Sequence, residues 1–124
     1  MSRVALAVAV AAVALLAIAG AAGAGSPQAH AAGKCNIKGQ ERKLGASYVT
    51  SLRVTKTSCR TGKSVVRAYN KCRHRSGGAK GHCHHKVKHY KCSEHRAGVS
   101  TQFDASATCK RGAKRVKFTY TENT

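Results

Sequence analysis

The sequence predicts a small disulfide-stabilised α+β domain, one helix packed on an antiparallel sheet of about four strands. Three observations predict it. Six cysteines follow an export-type N-terminus. One stretch of the chain carries apolar residues at helical spacing. Other stretches alternate apolar and polar residues with period two.

The N-terminal stretch has the order of a secretory signal peptide. Arg3 gives a positive start, residues 4–18 are unbroken apolar, and Ala29-His30-Ala31 supplies an A-x-A site. Cleavage is expected after Ala31, with Ala22-Gly23-Ala24 as the second choice. Residues 4–24 are long enough to span a bilayer, but they are rich in Ala and Gly and are followed by the cleavage site. No second apolar run occurs, so no transmembrane span is expected after cleavage. The expected compartment is secreted, extracellular or cell-wall associated.

Residues 32–47 are Gly-rich and polar and read as a flexible lead-in, with at most one short strand near 35–38. The domain proper is expected over 48–124. In YVTSLRVT, Tyr48, Thr50, Leu52 and Val54 alternate with Val49, Ser51, Arg53 and Thr55. That predicts a strand with Leu52 and Val54 facing in. Ser58 is a candidate N-cap for the helix that follows. Cys59, Gly62, Val66 and Tyr69 form its apolar stripe, flanked by Val65 and Cys72. Gly62 costs about 1 kcal/mol relative to Ala in a helix, so its place in the stripe points to close approach of the sheet. Residues 73–86 have almost no apolar content and predict a long basic loop.

Three more strands are expected. In VKHYKCSEH, Tyr90 and Cys92 share a side. In STQFDASATC, Phe103, Ala105, Ala107 and Cys109 do. In KRVKFTYT, Val116, Phe118 and Tyr120 face one way and Arg115, Lys117 and Thr119 the other. Ala97-Gly98 and Arg111-Gly112-Ala113 are the expected turns.

The even cysteine count in an exported chain points to structural disulfides at Cys35, Cys59, Cys72, Cys83, Cys92 and Cys109. Sequence alone does not choose among the fifteen pairings. Cys72 and Cys83 bracket a polar loop and pair first. The ranking then favours Cys59 with Cys109 and Cys35 with Cys92.

The order SLRVTKTSCRTGKSVVRAY, YKCSEH, FDASATCKRG and KRVKFTYTENT resembles a group of small secreted, cysteine-containing basic proteins of high-GC actinobacteria. Cys59, Cys92 and Cys109 match by context. The resemblance implies a compartment and a fold, and no catalytic residues, because the group has no established activity. The stretch 82–89 is rich in His where that group would carry Arg or Lys.

Motifs for catalysis are missing. Thr61-Gly62-Lys63-Ser64 looks like the end of a phosphate-binding loop, but the first glycine of that motif would fall at Thr57. Four scattered acids offer no paired carboxylates, and no Gly-x-Ser-x-Gly elbow occurs. The chain is expected to be non-enzymatic and to need no cofactor. His82, His84, His85 and His89 surround Cys83 and are weak candidates for transition-metal binding. They read first as part of the basic surface.

Charge is the remaining signal. The chain has 23 Lys and Arg against 4 Asp and Glu, a formal net charge of +19. Loss of residues 1–31 removes only Arg3. Solubility needs a net charge of about 2–8. Candidate polyanion-binding residues are Lys71, Arg73, Arg75, Lys80, Lys86, Lys88, Lys91, Lys110, Arg111, Lys114, Arg115 and Lys117. The expected partners are anionic polymers or envelope surfaces, bound without sequence readout because aromatic interleaving is sparse. A secreted inhibitor or effector presenting loop 73–86 to a protein partner is the alternative. A monomer is expected.

Overall fold

Period-two patterning builds the sheet of the computed structural model, which describes residues 32–124. The signal peptide expected over 1–31 and its cleavage site lie outside the described residues. The strands are β1 (Gly33–Lys34), β2 (Tyr48–Thr55), β3 (Lys91–Val99), β4 (Gln102–Arg111) and β5 (Lys114–Asn123). They lie in the order β1-β2-β5-β4-β3, and every neighbouring pair is antiparallel. One helix, α1 (Cys59–Arg75), covers one face. The predicted fold class holds, with five strands instead of four. The extra strand is β1, slightly ahead of the short strand expected near 35–38.

Strand β2 shows what alternation alone misses. Its pairing with β5 shifts between Val49 and Ser51. The inserted residue reverses the phase of the strand. Leu52 and Val54 are buried as expected, but so is Val49, while Tyr48 and Thr50 are exposed. Elsewhere the alternation is regular. Phe103, Ala105, Ala107 and Cys109 on β4 and Val116, Phe118 and Tyr120 on β5 all enter the core.

Helix α1 starts where the cap predicts. Ser58 Oγ accepts from the Thr61 amide at 3.1 Å, which satisfies one of the first-turn donors. Gly62, Val65, Val66, Tyr69 and Cys72 are buried on the sheet side. A β-carbon at Gly62 would stand 2.6 Å from Val54 Cγ1. That is the close approach the stripe implied. Tyr69 meets Phe118 edge-on at 5.6 Å.

The helix runs to Arg75, so the loop expected over 73–86 begins a turn later. The reason is Arg73, which continues the buried stripe and forms an ion pair with Glu122. A short 3-10 turn at Gly78–Lys80 adds further order.

Residues 32–47 are not a flexible lead-in but part of the domain. A 3-10 turn at Glu41–Leu44 drives Leu44 fully into the core, beside Cys35, Ile37 and Ala46. Asn70 Nδ2 donates to the Leu44 carbonyl at 2.9 Å.

The disulfides are Cys35–Cys59, Cys72–Cys83 and Cys92–Cys109. The loop bridge is the expected one, and the other two replace Cys59–Cys109 and Cys35–Cys92. The turn joining β3 and β4 falls at Ser100 and Thr101, not at Ala97-Gly98. That two-residue turn sets Cys92 directly opposite Cys109. Pairing of β1 with β2 carries Cys35 to the start of α1.

Candidate anion-binding surface

The four acids of the described chain divide into two kinds. Glu94 and Glu122 project from the core side of β3 and β5, and both are almost wholly buried. Glu94 accepts from Tyr69 Oη at 2.6 Å, from Tyr120 Oη and from Arg96 Nε. Burial pushes its carboxyl up, but the hydrogen bonds from Tyr120, Tyr69 and Arg96 outweigh that and hold it below the ordinary carboxylate value. Burial first, then the bond to Glu94, raises both phenols above the ordinary tyrosine range.

Glu122 accepts from Ser47 Oγ at 2.8 Å and from Arg73, with His74 Nε2 at 3.3 Å. Burial opposes its charge, and the bonds from Ser47 and Arg73 hold it low nonetheless. The Arg73 guanidinium also lies 4.8 Å from the centre of the Tyr120 ring. Only Glu41 and Asp104 remain outside these clusters, and Asp104 accepts from Thr121 Oγ1 at 2.6 Å.

This arrangement removes Arg73 from the candidate surface. It is fully buried and cannot meet a polymer. The other sequence candidates are all exposed. Lys71 and Arg75 lie on α1, Lys80 on the 3-10 turn, and Lys86 and Lys88 in the loop. Arg96, which the charge clusters did not single out, donates to the carbonyls of Lys80 at 2.8 Å and Gly81 at 2.5 Å. Arg73 Nη1 reaches the Ala79 carbonyl at 2.5 Å. Two arginines thus pin the loop from below.

The histidines do not converge. His82 Nδ1 stands 3.6 Å from Glu94, and the His82 and His84 rings are 6.1 Å apart. His85 Nε2 lies 3.4 Å from Cys72 Sγ. His89 and Lys88 form the tight left-handed turn between Val87 and Tyr90. Among the described residues the metal-type cluster is Cys72, Cys83 and His85. Its two sulfurs are joined to each other, and a disulfide sulfur is not the thiolate a metal needs.

The sheet face away from α1 gathers the remaining cations. Register places Lys34, Arg53, Lys117, Thr108 and Ser93 in one row across the five strands. The next row is Thr55, Arg115, Lys110 and Lys91. All six basic residues in these rows are exposed, and among the described residues none is in an ion pair. On the other side of the Arg53 row, the row of Ser51, Thr119, Ser106 and His95 is mainly hydroxyl. Thr119 Oγ1 lies 2.6 Å from the hydroxyls of Thr50 and Ser51. Arg111 and Lys114 face each other at the β4–β5 tip.

Sequence reading missed Arg53 and Lys34 as members of this surface. Arg53 was legible on the outward phase of β2. Its neighbours were not, because strand order decides them. Comparison with protein-family models, curated proteins and solved structures finds no match.

Proposed function

We propose that the protein is a secreted, non-enzymatic basic protein that associates electrostatically with anionic polymers at or beyond the cell surface. The observation that carries this reading is the separation of charge. Two of four acids lie inside with arginine partners, while exposed cations have almost no acid among them. A polymer that displaces its condensed counterions onto such a surface gains affinity that falls steeply with salt.

Retention of the disulfide-intact protein on immobilised polyanions checks the reading. Elution should shift strongly to lower salt as cations are removed. Retention that is indifferent to salt between low and high ionic strength would sink it.

A second reading has one observation in its favour. The loop that follows α1, residues 76–86, is closed by Cys72–Cys83 and clamped by Arg73 and Arg96. A loop held this way loses little freedom on binding a protein partner. Inhibition of a secreted protease at micromolar protein supports that reading, and a blank screen removes its inhibitor form.

A further inference from the structure

The two cation rows form the most ordered part of the charged surface. Adjacent strands lie about 4.8 Å apart, and alternate residues along a strand about 6.7 Å apart. Arg53 stands directly opposite Lys117, and Lys110 stands between Arg115 and Lys91. Like charges opposite one another destabilise a sheet. Among the described residues no acid pairs with them, although the chain places two carboxylates on the other face of β3 and β5.

The rows also contain a pocket. A cavity of about 220 Å³ is lined by Lys91, Cys92, Ser93, Thr108 and Lys110. Two lysines, a serine and a threonine line this one depression, and their ammonium and hydroxyl groups are donors of the kind that a tetrahedral oxyanion takes. Arg115, Lys117, Arg53 and Lys34 continue from it across the sheet.

We infer that this open face binds a flexible, linear polyol-phosphate polymer, with one phosphodiester seated between Lys91, Ser93, Thr108 and Lys110. The inference deepens the polyanion reading and rests on it. The cations and hydroxyls take the phosphate oxygens. Three features select this occupant. The rows carry no aromatic ring on which bases could stack. Hydroxyls adjoin the cations in both rows, Thr108 and Ser93 beyond Lys117 and Thr55 beside Arg115, which suits a chain of phosphates and polyols. A twisted sheet turns by roughly 20–25° per strand, so the chain that follows these rows must bend.

The deciding experiment uses the full secreted protein and three probes of matched charge: a poly(glycerol phosphate), an oligothymidylate and a heparin fragment. Affinity is measured against salt for wild type and two triple variants. One is Lys91→Thr/Lys110→Thr/Lys117→Thr on the open face. The other is Arg75→Ser/Lys80→Ser/Lys86→Ser on the helix end and loop. Each contact on a flexible chain contributes about 0.7 to the salt slope, so six cations give about −4 for wild type. The open-face variant should fall to about −2 on poly(glycerol phosphate), and the loop variant should stay within about 1 of wild type. The open-face variant should also melt no lower than wild type, because three like-charge pairs are gone.

An equal or larger loss in the loop variant overturns the assignment. So does oligothymidylate or heparin binding tenfold tighter than poly(glycerol phosphate). Absence of salt-dependent binding to all three probes removes the broader polyanion reading as well, which separates the two failures.

Discussion

Replacing Arg73 with Met should cost about 3 kcal/mol of stability and leave polyanion binding almost unchanged. Arg73 is fully buried, and its guanidinium serves Glu122, the Asn70 side chain and the Ala79 carbonyl. Removing one member of a buried pair costs about 3–5 kcal/mol, because the other charge is left unpaired. Ser47 and His74 still reach Glu122, so the lower end applies. Urea unfolding of the disulfide-intact protein at pH 7 measures the loss. The sign with pH follows from the depressed carboxyl of Glu122. Its stabilising contribution is present above the unfolded carboxyl value, near 4.3, and is lost as pH falls through the folded value. The gap between wild type and variant should therefore narrow below about pH 4. A loss under about 1 kcal/mol would refute the buried-pair argument. A drop of about 0.7 in salt slope would return Arg73 to the surface set.

Other perturbations test the frame. Gly62→Ala should destabilise by about 1–3 kcal/mol despite the better helix propensity of Ala, since the new methyl meets Val54; a gain in melting temperature would contradict the packing. Glu94→Gln should lower stability at pH 7 by about 2 kcal/mol and flatten the acid limb of the stability profile. Wild type, whose Glu94 carboxyl is held low, loses this contribution only as pH falls below about 4.3, and an unchanged acid limb would count against it. Cys35→Ser/Cys59→Ser should cost about 3.5 kcal/mol by the loop-closure relation for its sequence separation of 24. Unchanged unfolding would show that residues 32–47 are held by Leu44 and Ile37 alone.

How far the fold could be read depends on whether a residue's role is local. The β4–β5 hairpin was legible because its alternation and Gly112 are contiguous in sequence. The Ser58 cap and the Gly62 approach were legible for the same reason. Thr50 was not, because nothing local marks the shift in pairing with β5. Arg73 lay at a stripe position, but a charged residue in a basic run reads as surface until Glu122, on the last strand, supplies its partner. Glu94 was nearer to hand: Tyr90 and Cys92 already set the inward phase that Glu94 continues. The Cys92–Cys109 pairing was hidden by placing the turn at Ala97-Gly98. A turn at Ser100 and Thr101 would have set the two cysteines opposite each other. The candidate surface was legible as charge and not as geometry, since only strand order brings Lys34, Arg53 and Lys117 into one row.

The cation rows and the disulfides are linked energetically. Each directly opposed like-charge pair costs about 0.2–1 kcal/mol, so Arg53–Lys117, Lys110–Arg115 and Lys110–Lys91 together cost about 1–2 kcal/mol. A bridge such as Cys35–Cys59 offsets more than that. If the rows oppose folding and the bridges compensate, removing both should partly cancel. Lys91→Thr/Lys110→Thr/Lys117→Thr introduced into Cys35→Ser/Cys59→Ser should recover about 1–2 kcal/mol of the stability lost with the bridge, read from urea unfolding at low salt. Threonine suits an exposed strand position, so some gain comes from propensity alone. Salt distinguishes the two contributions. Repulsion between exposed charges is screened at 1 M, where the Debye length is about 3 Å, while propensity is not. A recovery that persists undiminished at 1 M salt would mean that the rows cost the fold nothing, and the case for a counter-charged occupant would lose its energetic ground.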